Sequence, residues 1–346
     1  MVKKIAIVSL SDGILGEQFV QHEVEIGLRR LKEHGFRVEF MPHARAGMEY
    51  IKNHPEDRAK DLLQAIEDDS VDMILCAIGG DDTYRLLPYL FEHDELKHAL
   101  EKSLHNKLFL GFSDTTMNHL MFHKLGVNTF YGQAFLPDLC EMEPELLPYT
   151  AHYFEELTST GMISEICPSE VWYMERTDWS EASVGVSRIR YSNDGFHLLQ
   201  GKSRFEGEIL GGCIESICDM FGYSKYEDLK ALCEKYELFP KPEDWKGKIL
   251  LLETSESQPT PEHYRTLLEA LKNTEIFEVI SGILYGKPMD EKYMEEYNRI
   301  IVEVVDNKNL PIVTNINVGH ATPRCIIPFG VHAVVDTVKQ TITFDK

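Results

Sequence analysis

Short apolar runs alternate with longer segments of helical spacing between residues 1 and 130. The run Val71–Ile78 is almost continuously apolar, as in a strand buried on both faces, and helical segments end at Gly35 and Gly126. Apolar strands separated by amphipathic helices indicate a parallel sheet covered by helices on both sides. The pattern predicts strands at Lys4–Leu10, Val38–Met41, Val71–Ile78 and Lys107–Phe112, and helices at Gln18–His34, Arg58–Asp68, Asp82–Phe91 and Thr115–Leu125.

The pattern changes between Leu136 and Trp179, a segment with ten acidic residues, one basic residue and little clean periodicity. We interpret this segment as a connecting region with some helix around His152–Leu157. Strand and helix signals resume after it and predict a second α/β domain with a strand-rich end from Ile326. In this domain we expect strands near Arg188–Tyr191, Lys246–Glu253, Phe277–Tyr285 and Pro311–Asn315, a turn at 207–212, and helices from Thr260 and over Glu291–Val305.

The length of the chain indicates two domains, because it has 346 residues and a single core stops growing at about 250–300 residues. We expect an N-terminal domain over residues 1–150, a connecting loop region over 151–185 and a smaller C-terminal domain over 186–346. In open parallel sheets, ligands bind beyond the carboxyl ends of the strands. Residues that directly follow a predicted strand are therefore the first candidates for chemistry.

Charge and cysteine content narrow the possible partners. The 35 Lys and Arg residues against 57 Asp and Glu residues give a formal net charge of −22, which disfavours nucleic-acid polymers and anionic membranes. Seven cysteines, an odd number with no Cys-x-x-Cys pair, fit reduced thiols better than a disulfide framework or a zinc site. Neither a signal-peptide core nor a stretch of about 18 apolar residues is found. We therefore expect a cytoplasmic protein without a metal site.

Ser113 follows one of the apolar strands, in the sequence Leu-Gly-Phe-Ser-Asp-Thr-Thr, and a helix begins directly after it. A hydroxyl on such a tight turn lies beside the unpaired N–H groups of the helix start, which can stabilise an oxyanion. The Gly-x-Ser-x-Gly elbow is incomplete, since Thr115 stands in place of the second glycine. The alternative is that Ser113 or Asp114 only caps the helix.

A serine nucleophile needs a base, and the base needs an orienting acid. His320 lies on a loop bounded by Gly319 and Pro323, just beyond a predicted strand, which suits a general base. Glu253 ends an apolar strand, where a buried carboxylate needs a partner such as a histidine N–H. The alternatives are a surface-loop histidine and a glutamate that serves in a salt bridge or a helix cap.

A pair of glycines, Gly79 and Gly80, closes the strand before Asp81 and Asp82. The sequence is neither a Gly-x-Gly-x-x-Gly fingerprint nor a phosphate-binding P-loop. Paired glycines do let a backbone approach a ligand closely and present its N–H groups. Taken alone, the segment also fits an ordinary turn.

In combination, these motifs resemble the serine LD-carboxypeptidases, peptidase family S66, a family that includes the microcin C immunity proteins. The matching segments are IGGDDTYRLLPYL at 78–90, GFSDTT at 111–116, LGG at 210–212, LLLE at 250–253 and VGHATP at 318–323. The resemblance implies a flavodoxin-like N-terminal domain, a smaller α/β C-terminal domain and a homodimer that needs no cofactor. It also implies site roles: Ser113 as nucleophile, Glu253 as orienting acid, His320 as base, and amides of Gly80 or Asp81 with Asp114 as the oxyanion hole.

Two branches of the family fit the sequence. One cleaves a terminal D-alanine from cytoplasmic muropeptides, and the immunity branch hydrolyses peptidyl or aminoacyl nucleotides. The resemblance favours the second branch, with Trp172 and Trp179 stacking on the nucleobase, although both tryptophans could instead anchor the connecting segment. Cys213 stands where murein enzymes commonly have asparagine. A binding protein that holds a nucleotide or flavin without cleaving it is the alternative from another class.

Overall fold

The computed structural model describes residues 1–92 and 106–345. The chain forms two compact units, one comprising Met1–Met162 with Arg176–Arg188 and the other Ile163–Glu175 with Ile189–Lys346. The segment 176–188, which carries Trp179, therefore belongs to the first unit, whereas Trp172 belongs to the second. In the part of the chain that the structure describes, no helix combines the length and the apolar character needed to cross a bilayer.

The first unit contains a parallel sheet in the order β2-β1-β3-β4-β5. This is the flavodoxin-like strand order, so the predicted fold of this part is confirmed. β1 and β3 are almost wholly buried, as their apolar sequences predict. The strands are β1 Lys4–Val8, β2 Arg37–Phe40, β3 Met73–Cys76, β4 Leu108–Gly111 and β5 Thr129–Tyr131, and the helices are α1 Gln21–Glu33, α2 Met48–Asn53, α3 Pro55–Glu67, α4 Leu87–Phe91, α5 Thr116–Lys124 and α6 Pro148–Thr160.

Most predicted helices of this unit are present, but one of them is divided into two shorter elements. The predicted helix Asp82–Phe91 is divided into a 3₁₀ turn, Thr83–Leu86, and the short helix α4. Pro88 lies in the first turn of α4, where its missing N–H costs nothing, whereas inside a longer helix it would interrupt the hydrogen-bond ladder. α6 confirms the helix predicted around His152–Leu157.

The second unit is built on an eight-stranded sheet in the order β6-β16-β15-β10-β11-β12-β13-β9. Its centre, β10 to β13, is parallel, and antiparallel strands flank it on both sides. The predicted α/β domain with a strand-rich end is thus confirmed. The strands are β6 Glu165–Ile166, β7 Val171–Tyr173, β8 Arg190–Ser192, β9 His197–Gln200, β10 Arg204–Cys213, β11 Ile249–Glu253, β12 Gly282–Gly286, β13 Ile312–Ile316, β14 Ile327–Phe329, β15 His332–Asp336 and β16 Thr341–Phe344, and the helices are α7 Ile214–Cys218, α8 Leu229–Lys235, α9 Pro242–Trp245, α10 Pro261–Lys272 and α11 Met294–Val305.

Two predictions for this unit are wrong. The expected turn at 207–212 is part of β10, the ten-residue strand at the centre of the sheet. Gly211 allows this, because a Cβ there would lie 2.0 Å from the carbonyl oxygen of Leu251 on β11, so only glycine lets the strands approach. The expected strand Phe277–Tyr285 begins only at Gly282, since Phe277 lies in a buried 3₁₀ turn. Both errors arise because local composition does not reveal which neighbour packs against a segment.

Candidate active site

Ser113 lies immediately beyond β4, in a one-turn 3₁₀ segment that leads into α5. Its φ of +64° is a left-handed conformation that a non-glycine residue adopts only at a cost. Its N–H donates to the hydroxyl of Tyr131 at 3.2 Å, and its carbonyl accepts from Thr116 Oγ1 at 2.6 Å. The strained turn is thus held by side chains at the end of β5 and the start of α5, and it leaves the Ser113 side chain half-buried.

Asp114 is buried, and its carboxylate accepts hydrogen bonds from two other segments of the chain. Its Oδ2 accepts from Ser11 Oγ at 2.6 Å and from the N–H of Thr83 at 2.9 Å. Burial raises the pKa of Asp114 to about 6; nearby aspartates add to this effect, and the two hydrogen bonds oppose it. The residues that flank the two helical starts are Phe112 and Thr115. Neither Ser113 nor Asp114 therefore occupies the cap position that the alternative interpretation required.

The Gly79–Gly80 turn packs directly against the serine. A Cβ on Gly79 would lie 2.7 Å from Ser113 Oγ and 3.4 Å from the amide nitrogen of Asp114. The buried ion pair between Asp82 and Arg58, at 2.6 Å, fixes the residues that follow the turn. The glycine turn and the amide of Asp114 thus lie beside Ser113, and the oxyanion-binding role of Gly80, Asp81 and Asp114 stays a prediction.

Glu253 and His320 form a buried pair in the second unit. Glu253, the last residue of β11, is fully buried, and its Oε2 lies 2.7 Å from Nδ1 of His320 and accepts from the His320 N–H at 3.3 Å. This arrangement fixes the ring orientation and assigns the N–H to Nδ1 in the neutral tautomer. From the sequence, each of the two residues could be identified separately as a candidate by its position at or beyond the end of a predicted strand. Their contact is a finding of the structure, and it excludes the alternative of a surface-loop histidine.

The loop that carries His320 fits tightly around the carboxylate. Gly319 has a φ of +84°, and a Cβ there would lie 2.4 Å from Glu253 Oε2, so glycine is required on both conformational and steric grounds. Arg324 donates from its guanidinium to the carbonyl oxygens of Gly319 and His320. The position of the imidazole is therefore set by its backbone as well as by Glu253.

A second carboxylate, which the sequence pattern did not reveal, contacts the other ring nitrogen. Glu256 Oε2 lies 3.0 Å from Nε2 of His320, although the Glu256 side chain is 70% exposed. Burial would lower the pKa of His320, but the two glutamates outweigh it and raise this pKa to about 10. The hydrogen bond to His320 lowers the pKa of Glu256 to about 2. The only available signal in the sequence was a glutamate three residues beyond the strand end.

The two tryptophans have different surroundings. Trp172, on β7, is buried and stacks on Tyr191 with ring centroids 4.7 Å apart, and the ammonium of Lys287 lies 5.2 Å from its ring. Trp179 is 39% exposed, and the guanidinium of Arg188 lies 5.6 Å from its ring. Trp172 thus has the environment expected of an anchor, whereas Trp179 presents an aromatic surface to solvent.

A strained serine at a strand-to-helix turn and a buried glutamate–histidine pair at strand ends are features of hydrolytic enzymes built on α/β folds. Comparison with known proteins gives the family. Residues 5–132 match the LD-carboxypeptidase N-terminal domain, and residues 206–335 match the LD-carboxypeptidase C-terminal domain. The chain belongs to the LD-carboxypeptidase family, peptidase family S66.

Solved structures and curated relatives identify similar members. The structure of an MccF-like protein from Streptococcus pneumoniae in complex with AMP is 59% identical in sequence and matches with a TM-score of 0.97 over 100% of this chain and 99% of that one. The microcin C7 self-immunity protein MccF of Escherichia coli is 26% identical over 298 residues, which are 84% of this chain and 78% of that protein.

Two further proteins are similar over most of this chain. The structure of MccF in complex with aspartyl sulfamoyl adenosine shares the fold, with a TM-score of 0.80 and 22% identity over 100% of this chain and 96% of that one. A protein named probable murein peptide carboxypeptidase, from Bacillus subtilis strain 168, is 22% identical over 332 residues, 93% of this chain and 87% of its own. The chain is thus similar to proteins of both branches, and its identity to the MccF-like protein, at 59%, exceeds its identity to the murein protein, at 22%.

Proposed function

We propose that this protein is a serine hydrolase that cleaves the bond between an acyl group and a nucleotide, with Ser113 as nucleophile, His320 as base and Glu253 as the acid that orients it. The observation that carries the proposal is the buried contact between Glu253 and Nδ1 of His320. A carboxylate in this position holds the imidazole so that Nε2 can exchange a proton with a hydroxyl, and it stabilises the imidazolium that forms.

The reaction proceeds in two acyl transfers. Nε2 of His320 takes the proton of Ser113 Oγ, which bonds to the scissile carbonyl carbon, and N–H groups near Gly80, Asp81 and Asp114 stabilise the oxyanion. The C–N bond to the leaving group then breaks, and the imidazolium returns its proton to the departing nitrogen. His320 then takes a proton from water as the water oxygen attacks the ester carbonyl. The ester C–O bond breaks, the imidazolium returns the proton to Ser113 Oγ, and the acid is released.

The nucleotide substrate is inferred from the relatives. The MccF-like protein at 59% identity was solved with AMP, and MccF itself was solved with aspartyl sulfamoyl adenosine. The exposed ring of Trp179 gives a base a surface for stacking, worth about 1–3 kcal/mol. The ring of Trp172 is already stacked on Tyr191, so it is less accessible to a nucleobase than the ring of Trp179. A homodimer and a cytoplasmic location stay predictions from the resemblance and the sequence.

The murein branch is the second candidate, favoured by similarity to the Bacillus subtilis protein over most of the chain. It uses the same proposed nucleophile and the same proton transfers, and only the leaving group differs. A non-catalytic nucleotide-binding protein would retain AMP and hydrolyse neither substrate.

Replacing Ser113 by alanine tests the nucleophile. We expect S113A to lose a factor of about 10⁴ or more in kcat on aspartyl sulfamoyl adenosine, because the covalent route disappears. The matched control is S159A, which removes an exposed hydroxyl near the end of α6 and should keep wild-type turnover. Retention of wild-type kcat by S113A would contradict a serine mechanism.

A further inference from the structure

The segment that carries Trp179 is held at both of its ends by one carboxylate. We call residues 176–188 the Trp179 segment; they belong to the first unit, whereas the residues on either side belong to the second. Glu141 Oε1 accepts from Nε and Nη2 of Arg176 at 3.1 and 2.9 Å, and Glu141 Oε2 accepts from Nε of Arg188 at 2.6 Å. Arg176 also donates to the carbonyl oxygen of Val186 at 2.6 Å. The two ends of the segment therefore meet at Glu141.

These ion pairs are shielded from water. The exposed fraction of the side chain is 2% for Glu141, 6% for Arg176 and 1% for Arg188. Burial alone would raise the pKa of Glu141, but the charge of Arg188 and the hydrogen bond from Arg176 outweigh it and lower this pKa. Neutralising the carboxylate would leave two buried guanidinium groups without their counter-ion, a state that costs far more than the loss of a surface pair. The arrangement is therefore stable only while Glu141 holds both arginines.

The chain around Glu141 is itself fixed to the first unit. Arg30, on α1, donates to the carbonyl oxygens of Leu139 and Glu141. The N–H of Gly185, within the Trp179 segment, donates to the carbonyl oxygen of Met142 at 2.8 Å. The Trp179 segment is thus held on a part of the chain that is anchored to a helix.

One of the two arginines carries this order to the ring of Trp179. The guanidinium of Arg188 lies 5.6 Å from the centre of that ring, a cation–π distance. Nε2 of His22 lies 3.1 Å from the carbonyl oxygen of Trp179. The ring thus packs against a group whose position Glu141 fixes, while the residue as a whole stays 39% exposed.

We propose that Glu141 is a positioning residue for the nucleotide: through Arg176 and Arg188 it orders the Trp179 segment before a nucleobase stacks on Trp179. The inference rests on the proposed function and deepens it, since it assigns the order of the base-binding surface to a residue that acts through two others. A ring that is ordered in advance loses less conformational freedom on binding. Loss of Glu141 should therefore weaken nucleotide binding and leave the chemistry at Ser113 intact.

The test measures the affinity for AMP by calorimetry in the wild type, W179A, E141Q and the double variant. We expect W179A to weaken binding by about fivefold to a hundredfold, the fold-change that corresponds to one stacked base. E141Q should weaken binding by a similar or smaller factor. Because both substitutions remove the same stacking surface, the double variant should bind AMP no more weakly than W179A, whereas independent effects would multiply.

The matched control is D68N, which neutralises a carboxylate of the first unit that pairs with Lys4 at 2.8 Å and should keep the wild-type affinity. Trypsin, which cleaves after arginine, gives a second readout. Release of Arg176 and Arg188 in E141Q should speed cleavage after these two residues by about tenfold or more, as for local opening of an ordered segment. Cleavage at these sites in D68N should proceed at the wild-type rate.

A second variant, R176Q, keeps the test valid if E141Q does not fold. It frees one end of the Trp179 segment and leaves Glu141 paired with Arg188, so the protein keeps a neutralised buried pair. We expect R176Q to weaken AMP binding in the wild-type background and to have no further effect in W179A.

Kinetics on aspartyl sulfamoyl adenosine separate positioning from chemistry. In E141Q we expect KM to rise by the factor lost in AMP affinity and kcat to stay within about threefold of the wild type. Wild-type AMP affinity in E141Q, an unchanged affinity in W179A, or losses that multiply in the double variant would overturn the inference.

Failure of the proposed function would look different. If AMP binding shows the expected pattern but the wild type does not cleave aspartyl sulfamoyl adenosine, the positioning role stands and the hydrolase proposal fails. If the wild type cleaves this compound while E141Q binds AMP as tightly as the wild type, the hydrolase proposal stands and the positioning role fails.

Discussion

Gly319 is the residue on which the geometry of the Glu253–His320 pair depends most directly. A Cβ at this position would lie 2.4 Å from Glu253 Oε2, in a backbone with φ of +84°. Gly35 provides a matched control, because its φ is +86° and a Cβ there meets nothing within 4 Å. Alanine therefore has the same conformational cost at both positions, but its Cβ clashes with a neighbouring side chain only at position 319.

We expect G35A to lower the free energy of unfolding by about 1–2 kcal/mol, the cost of a left-handed alanine, and to keep full activity. G319A should lose more stability and about 10²-fold in kcat/KM, since displacement of a catalytic group by 1 Å has an effect of that size. Urea denaturation and steady-state kinetics on both variants measure the difference. Equal effects of the two substitutions would contradict the tight packing around Glu253.

For individual residues, the sequence identified candidates for the site wherever the position relative to a predicted strand was a sufficient signal. Ser113, Glu253 and His320 each lie at or just beyond the end of a predicted strand, which marked them as candidates, and the family resemblance gave them their roles. Glu256 was missed because an exposed loop glutamate has no sequence pattern that distinguishes it from any other. Its contact with Nε2 depends on a fold that brings residues 64 positions apart within 3.0 Å, and periodicity carries no information about such pairs.

Among the elements, the segment from the end of β11 to Gln258 is held by one side chain of α7. Glu215 accepts hydrogen bonds from Ser255 and Ser257, which flank Glu256. We expect E215A to weaken this anchor, to lower the free energy of unfolding by about 1–3 kcal/mol and to speed hydrogen exchange at the Ser255 amide.

The control for this element is E227A, which removes an exposed glutamate before α8. Exchange at Ser255 measured by mass spectrometry or NMR should be unchanged in E227A. If E215A leaves this exchange rate at the wild-type value, Glu215 does not hold the loop.

Elements with a strong apolar pattern could be predicted from the sequence. Elements whose conformation depends on packing against a neighbouring segment could not. α1 has a clear amphipathic pattern, the parallel strands β1, β3 and β4 are apolar runs, and all four occur where expected. β10 was interpreted as a turn because of its glycines, whose function is close approach to β11. The 3₁₀ turn at Ile276–Glu278 is apolar and buried like a strand, so hydrophobicity alone did not separate the two.

For the whole molecule, the charge of −22 bears on the class of substrate. An acidic surface disfavours nucleic-acid polymers, but it is compatible with a single nucleotide, because stacking on an aromatic ring needs no basic surface. It also suits a substrate that carries an amino group. A parallel sheet covered by helices could be anticipated from alternating strands and helices, and its flavodoxin-like order from the family resemblance. The division that assigns segment 176–188 to the first unit could not be anticipated.

The measurement that tests the central proposal most directly offers the wild-type enzyme aspartyl sulfamoyl adenosine and a muropeptide ending in D-alanine, under identical conditions. We predict that the enzyme releases aspartate from the nucleotide compound with the higher kcat/KM. Cleavage of the muropeptide alone would contradict the assignment to aminoacyl nucleotides, and cleavage of neither would contradict hydrolysis itself.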